Sequence, residues 1–339
     1  MKPRSFAALA IITVVALVVA IATYATQNRW SQAKVSGDPL FPGLAAQAGK
    51  VARIEIRQGD KSLVLARDKD SWSLADRSGY PAKTEAVRAL LVKLAGAELV
   101  ETKTQKQGRY ALLELEDPSG KDAKSRLLRL TDDKGAVIAE AVIGKKRYDA
   151  FGASRSGTYV RKAGDVQTWL SNADLDVAVS VRDWVQPGIL DIAASKIRKL
   201  TLEIPGEEPL VIERDAADVN KHALVGIPDG KKLKAGAGAD SIVRAAGSID
   251  LEDVRKRDGA PGTDAGVARL EGDGGLAVTL KLRKDGEASW VSIEATGAEG
   301  DAKKTAEEIA KKAQGWEFKV PPYKADSILK RRADLFEAS

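Results

Sequence analysis

From Val51 onward, apolar and polar residues alternate in short runs separated by turn residues. In "ARIEIR", Ile54 and Ile56 share one face while Arg53, Glu55 and Arg57 share the other. That period of two marks a strand with one buried face. "SLVLARD" follows a Gln58-Gly59-Asp60 turn and predicts a hairpin. A third short strand carries Trp72 and Leu74. Pro81 then opens a helix in which Val87, Leu90, Leu91, Leu94 and Ala95 recur at helical spacing, and Gly96 ends it. Strands are predicted around Glu98–Lys103, Arg126–Leu130, Val137–Ile143 and Thr158–Arg161. A short helix is predicted at "DVQTWLSNA". Trp72 belongs to the core, and Tyr80 is placed to staple the helix start.

The pattern restarts at Lys196. "IRKLTLEI" alternates like "VARIEIRQ", and "PLVIERD" parallels "SLVLARD". "ADSIVRAAGSIDLEDVRK" parallels "RALLVKLAGAELVETK". Further on, "LAVTLKLRK" pairs with "SRLLRLTDD", "SWVSIEA" with "IAEAVIG", and "WEFKV" with "TYVRK". The expected fold is α+β, with two tandem copies of an antiparallel-sheet-plus-helix unit. The expected divisions are residues 1–28 for a cytoplasmic tip and anchor, 29–50 for a tether, and 51–193 and 194–339 for the two repeats.

The anchor is read from "FAALAIITVVALVVAIATYA", Phe6–Ala25, which carries no charge. A helix of that length spans roughly 30 Å, the hydrocarbon thickness of a bilayer. Lys2 and Arg4 precede it, so its N-terminus is expected in the cytoplasm and the remainder outside, as a single-pass protein of the inner (cytoplasmic) membrane. A cleaved leader ending near Ala25 is the competing reading, and its apolar region would ordinarily be shorter. Trp30 falls where an interfacial tryptophan belongs.

Charge changes the picture little. The chain has 54 Lys+Arg against 48 Asp+Glu, for a formal charge of +6. The cations are interspersed rather than gathered into the patch a nucleic-acid binder uses, so no nucleic-acid partner is expected. The chain has no cysteine and one histidine, His222. Disulfides, thiolate sites and multi-histidine zinc sites are therefore excluded. His222 is expected to face solvent in a loop.

Candidate chemistry is sparse. "GKKRYDAFGASRSG" holds Lys145, Lys146, Arg147 and Arg155 among glycines, without the spacing of a phosphate-cradling loop. Ser154 and Ser156 lack a nucleophile elbow. Asp132-Asp133 and the Asp174/Asp176 pair do not follow a calcium-loop pattern, and Glu207-Glu208 fall in a turn. The C-terminal "DSILKRRADLF" reads as an amphipathic helix with Ile328, Leu329 and Leu335 inward and Lys330, Arg331 and Arg332 outward. No catalytic residue, metal ligand or cofactor is assigned. The two basic groups, Lys145–Arg147 with Arg155 and Lys330–Arg332, are the candidate contacts for a partner or an anion.

"DPLFPGLAAQAGKVARIEIR", "WSLADRSGYPAKTEAVRALLVKLAGAELVETKT", "AEAVIG" and "GTYVRKAGDVQTWL" resemble the domain of unknown function 4340 family. The resemblance spans Leu40 to about Val185 well and the second half more loosely. Ala111 stands where a glycine is expected after Tyr110. The resemblance implies a membrane-anchored extracytoplasmic protein associated with ABC-transporter components of the gliding-motility type. It implies no activity. The expected function is therefore a non-enzymatic accessory or scaffold protein whose partners are the membrane and transporter subunits. An envelope module binding glycan or peptide is the alternative, and a hydrolase a more distant one.

Overall fold

The computed structural model describes residues 37–227, 234 and 238–337. The Phe6–Ala25 stretch lies outside the described residues. Among the described residues, no helix is long and apolar enough to cross a membrane. The architecture is mixed α+β, built on large antiparallel sheets.

In chain order the strands are β1 (Asp38–Pro39), β2 (Arg53–Gln58), β3 (Lys61–Asp68), β4 (Ser71–Leu74), β5 (Tyr80–Pro81), β6 (Glu98–Thr102), β7 (Arg126–Thr131), β8 (Val137–Arg147), β9 (Gly157–Lys162) and β10 (Thr168–Ser171). They continue with β11 (Gly188–Asp191), β12 (Ile197–Glu203), β13 (Leu210–Arg214), β14 (His222–Leu224), β15 (Ser248–Asp250), β16 (Asp253–Lys256), β17 (Thr263–Gly272), β18 (Ala277–Asp285), β19 (Ala288–Thr296) and β20 (Trp316–Val320). The longer helices are α1 (Thr84–Ala95), α2 (Ala239–Gly247), α3 (Gly300–Ala313) and α4 (Pro322–Ile328).

The chain divides into two compact units. One takes the described residues through Ser62 together with Glu85–Val179; the other takes Leu63–Thr84 and everything from Ser180 on. In the first unit the strand order is β1-β6-β10-β9-β8-β7-β2. In the second the main sheet runs β14-β13-β12-β17-β18-β19-β20-β16, β11 pairs with β15, and β4 pairs with both β3 and β5. Helix α2 contacts β12, β14 and β17, and α3 lies against β19.

The six-strand order β6-β10-β9-β8-β7-β2 reappears in the second unit as β16-β20-β19-β18-β17-β12. The registers agree as well. Ile54 faces Leu130, which faces Ala139; in the second unit Leu200 faces Leu270, which faces Val278. All six side chains are buried. The next core row, Ile56-Leu128-Ala141, corresponds to Leu202-Ala268-Leu280.

This correspondence moves the later sequence pairings by one strand. β7 matches β17, not β18, and β10 matches β20. Two local features hid the shift. β17, "TDAGVARLEG", has small residues among its core positions and so alternates weakly. Thr168–Ser171, expected to be helical, is a strand. It pairs with both β6 and β9, and Thr168, Leu170 and Ser171 are buried. Pairing on both sides outweighs the local pattern.

The other elements follow their patterns. In α1, Val87, Leu90 and Leu94 are buried, the stripe that spacing of three and four residues produces. The helix begins at Thr84 rather than Pro81, because Tyr80–Pro81 forms β5 against β4 and a residue preceding proline disfavours helical backbone. Trp72 is buried, as expected. The glycine ending "AEAVIG" has a steric cause: a Cβ on Gly144 would lie 2.3 Å from the Leu113 carbonyl oxygen. Nearby, Tyr110, Leu115 and Val142 form a small cluster with Leu113 and Tyr159.

Candidate functional site

A groove of about 510 Å³ opens in the second unit, lined by Tyr80, Pro81, Ala82, Lys83, Gln186, Glu308, Lys311, Lys312 and Trp316. Three devices build it. Arg77 clasps Asp253 at the start of β16 with two nitrogens, Nε to Oδ1 at 2.7 Å and Nη2 to Oδ2 at 3.1 Å. A two-point guanidinium–carboxylate clasp fixes orientation as well as distance, and it sets the approach of the segment carrying Tyr80. Second, β16 pairs with β20 in a register that places Lys256 opposite Trp316 and Arg255 opposite Glu317. Third, α3 ends just before Gly315, whose φ of 79° is the left-handed turn glycine provides after a helix. That turn delivers Trp316 to the groove.

The aromatic wall is a packed group. Tyr80 meets Trp316 edge to face, with centroids 5.0 Å apart and planes at 86°, and meets Phe318 at 6.1 Å. Such geometry sets the positive edge of one ring against the negative face of another. The Lys256 ammonium stands 3.8 Å from the Trp316 ring centroid, a cation–π contact. Burial pushes the Tyr80 phenol up to about 12. Tyr80 is thus an aromatic wall of the second unit rather than a staple for α1.

The rim is cationic. The Lys83 backbone N–H donates to the Trp184 carbonyl at 2.6 Å, and Lys312 Nζ donates to the Gly188 carbonyl at 3.2 Å. Lys311, Lys312, Glu308 and Gln186 are exposed. The lining pairs no hydroxyl, thiol or imidazole with a base. It offers apolar faces and ammonium donors, the chemistry of binding.

On the other side of β20 lies a charged network. Glu317 is 1% exposed and accepts from Arg255 Nε at 3.0 Å and Arg283 Nη1 at 3.2 Å. Arg255 also donates to Asp285 at 2.7 Å and lies over the Trp290 ring, 3.9 Å from its centroid. The cross-strand register brings these groups together, and burial requires that each charge be matched.

The basic residues singled out in the sequence lie elsewhere. Lys145, Lys146 and Arg147 end β8. Lys146 pairs with Asp174 at 2.6 Å, Arg147 lies 3.7 Å from Glu101, and Arg155 is exposed in the following loop. The Asp174 bond holds the Lys146 ammonium above the usual lysine range. At the C-terminal end, α4 stops at Ile328, so Lys330, Arg331 and Arg332 follow the helix rather than lining it. Ile328 and Leu335 are buried. Arg331 pairs with Glu207 at 3.3 Å, and Arg332 donates to the Gly226 carbonyl. Lys330 is exposed.

His222 corrects an expectation. Its side chain is fully enclosed, with Nδ1 3.2 Å from Asp240 Oδ1 and Nε2 3.0 Å from the Ile197 carbonyl oxygen. It lies on β14, an edge strand covered by α2, where one-residue context resembles a loop. Asp132 shapes a turn by accepting from the Lys134 and Ala136 N–H groups. Among the described residues, no group of three or more acidic, histidine or cysteine side chains is placed to hold a metal ion.

The groove's lysines were not singled out in the sequence. Lys83 stands beside "YP", and Lys311-Lys312 stand just before "QGW". The signal was there in both places, an aromatic next to a cation, but nothing local joins them.

A family model described as a domain of unknown function (DUF4340) matches residues 72–270. Searches of curated proteins and of solved structures give no match. The family match starts at Trp72 in β4 and ends at Leu270 in β17, which is more than half of the chain and takes in strands of both units. The chain belongs to the DUF4340 family.

Proposed function

We propose that this protein is a membrane-anchored extracytoplasmic module that works by contact, as an accessory or scaffold subunit of an ABC-type transport assembly, and not as an enzyme. Phe6–Ala25 is its single spanning helix, with the N-terminus in the cytoplasm and the bulk of the chain outside the inner membrane. The support is the length of that uncharged stretch and the basic residues before it. The two sheets are tandem copies of one unit, supported by their shared strand order and registers. A duplicated scaffold without a catalytic constellation in its groove suits a protein that holds others in place.

The groove carries the contact reading: aromatic walls and lysines, with no nucleophile–base pair among its lining residues. It also favours a second reading, an envelope module that binds a ligand. A tether keeps even a weak contact occupied, because it raises the effective concentration of neighbouring membrane proteins. The test is detergent extraction from native membranes and capture through a C-terminal tag. Transporter subunits should co-purify, and the double change Arg331→Glu with Arg332→Glu should weaken their capture if the basic end is the contact. Purified protein that turns over a cell-wall or phosphoester substrate, with loss on changing one carboxylate, would replace this reading with an enzymatic one.

A further inference from the structure

We infer that the Tyr80–Trp316 groove binds an acidic, extended peptide segment, its carboxylates on Lys83, Lys311 and Lys312 and an apolar side chain against Trp316. The inference rests on the contact reading and narrows it to one ligand class.

Three observations carry it. The first is the charge of the lining: three lysines against one carboxylate, Glu308. The second is the kind of polar group. An ammonium donates three hydrogen bonds and accepts none. Donor-only groups are satisfied by an acceptor-only partner, which an ionised carboxylate is. A sugar ring presents hydroxyls that both donate and accept, and would find few acceptors here. The third is shape. Pro81, Ala82 and the Tyr80 and Trp316 rings form a concave apolar wall, which an extended chain can enter and a bilayer surface cannot. Lys256, 3.8 Å from the Trp316 ring centroid, adds positive charge next to the aromatic wall. Lys312 spends one of its three donors on the Gly188 carbonyl and keeps two for a ligand.

The experiment uses the full chain in a neutral detergent and a fluorescein-labelled peptide, Glu-Leu-Asp-Phe-Glu-Asp, followed by fluorescence anisotropy. Its counterpart carries Gln and Asn at the acidic positions. The acidic peptide should bind at least about tenfold more tightly than the neutral one, and more weakly as salt rises through the range where screening sets in. Lys311→Glu with Lys312→Glu should cost about tenfold or more, because it places like charges in the site. Both lysines are exposed, and an unchanged circular dichroism spectrum checks that the variant is folded. Lys311→Gln alone, which spares the Lys312–Gly188 contact, should weaken binding in the same direction, and Trp316→Ala tests the apolar wall separately. Equal binding of both peptides, no binding, or unchanged binding by the lysine variant overturns the inference. Displacement of the peptide by short-chain phosphatidylglycerol reassigns the groove to a lipid headgroup and overturns it too. Membrane capture that persists when peptide binding fails rejects the groove ligand alone. Peptide binding that persists when nothing is captured rejects the accessory-subunit reading alone.

Discussion

Glu317→Ala should loosen the second unit by about 3 kcal/mol. The carboxylate is 1% exposed and is held by two guanidiniums whose side chains are 18% and 22% exposed. Removing one member of a buried ion pair typically costs about 3–5 kcal/mol, because the remaining charge is left without its match. Here the lower end applies. Arg255 retains Asp285 at 2.7 Å, and Arg283 retains Asp264 at 3.5 Å. Each arginine therefore loses one of two carboxylate partners while keeping its backbone carbonyl acceptors, Pro261 for Arg255 and Ala260 and Gly262 for Arg283, and each is part solvated. The Ala residue also opens space beneath β20, which adds to the loss. Glu317→Gln should cost less than Ala, since its amide oxygen still accepts from one arginine while its NH₂ group faces the other. With two units in the chain, a single global unfolding transition is not the right readout. Native-state hydrogen exchange on the peptide spanning Trp316–Val320 reports the local opening free energy. A loss of about 3 kcal/mol appears there as exchange roughly a hundredfold faster, since each 1.4 kcal/mol is a factor of ten. A change of less than about fivefold, or Gln costing more than Ala, would refute the reasoning. The arginines would then be satisfied by water and by their second carboxylates, and Glu317 would contribute little.

Leu94→Ala removes a fully buried side chain from α1 and should cost about 2–5 kcal/mol, read as faster exchange across α1. The raised Tyr80 value gives an alkaline prediction. Burial favours the neutral phenol, so its contribution is complete below the unfolded value of about 10 and is lost as pH rises toward about 12, an effect on the order of 2–3 kcal/mol. Tyr80→Phe keeps the ring and should flatten that part of the stability–pH curve; an unchanged alkaline slope would show that Tyr80 is not the group responsible. His222→Leu removes both ring contacts and leaves the Ile197 carbonyl without its ring donor, for a loss of about 1–3 kcal/mol, seen as faster exchange in β12 and β14.

Much of the fold was legible because each unit repeats local patterns that one face must bury. Ile54 and Ile56, and Leu200 and Leu202, alternate plainly, and α1 shows its stripe. Thr168–Ser171 was not legible, since its strand character comes from neighbours on both sides rather than from its own spacing. His222 was misplaced for a related reason: its enclosure is supplied by Asp240 and Ile197, on other elements. The groove was the least visible part. Tyr80 and Lys83 lie early in the chain, and Lys311, Lys312 and Trp316 lie near its end, so no local window holds the site. The basic ends were visible as charge, but the stop of α4 at Ile328 was not. No proline or glycine marks it, and Leu329 leaves helical backbone at φ −87°, ψ 55°.

The assignment of Leu63–Thr84 to the second unit has a consequence for how the protein is made. The chain leaves one unit for the other after Ser62, returns after Thr84, and leaves again after Val179. As the polypeptide emerges N-terminus first, the strands carrying Trp72 and Tyr80 appear long before β16–β20 are available. The Tyr80 ring waits for Trp316 and Phe318 at the far end of the molecule. The second unit is thus completed only once Trp316 and Phe318 have been made, and its closing contacts join distant parts of the sequence, which makes folding slow. Until then, the Tyr80 ring has neither of its aromatic neighbours. A fragment ending between the two sequence repeats would lack Trp316 and Phe318, and the Tyr80 ring would keep neither of the edge-to-face contacts that enclose it.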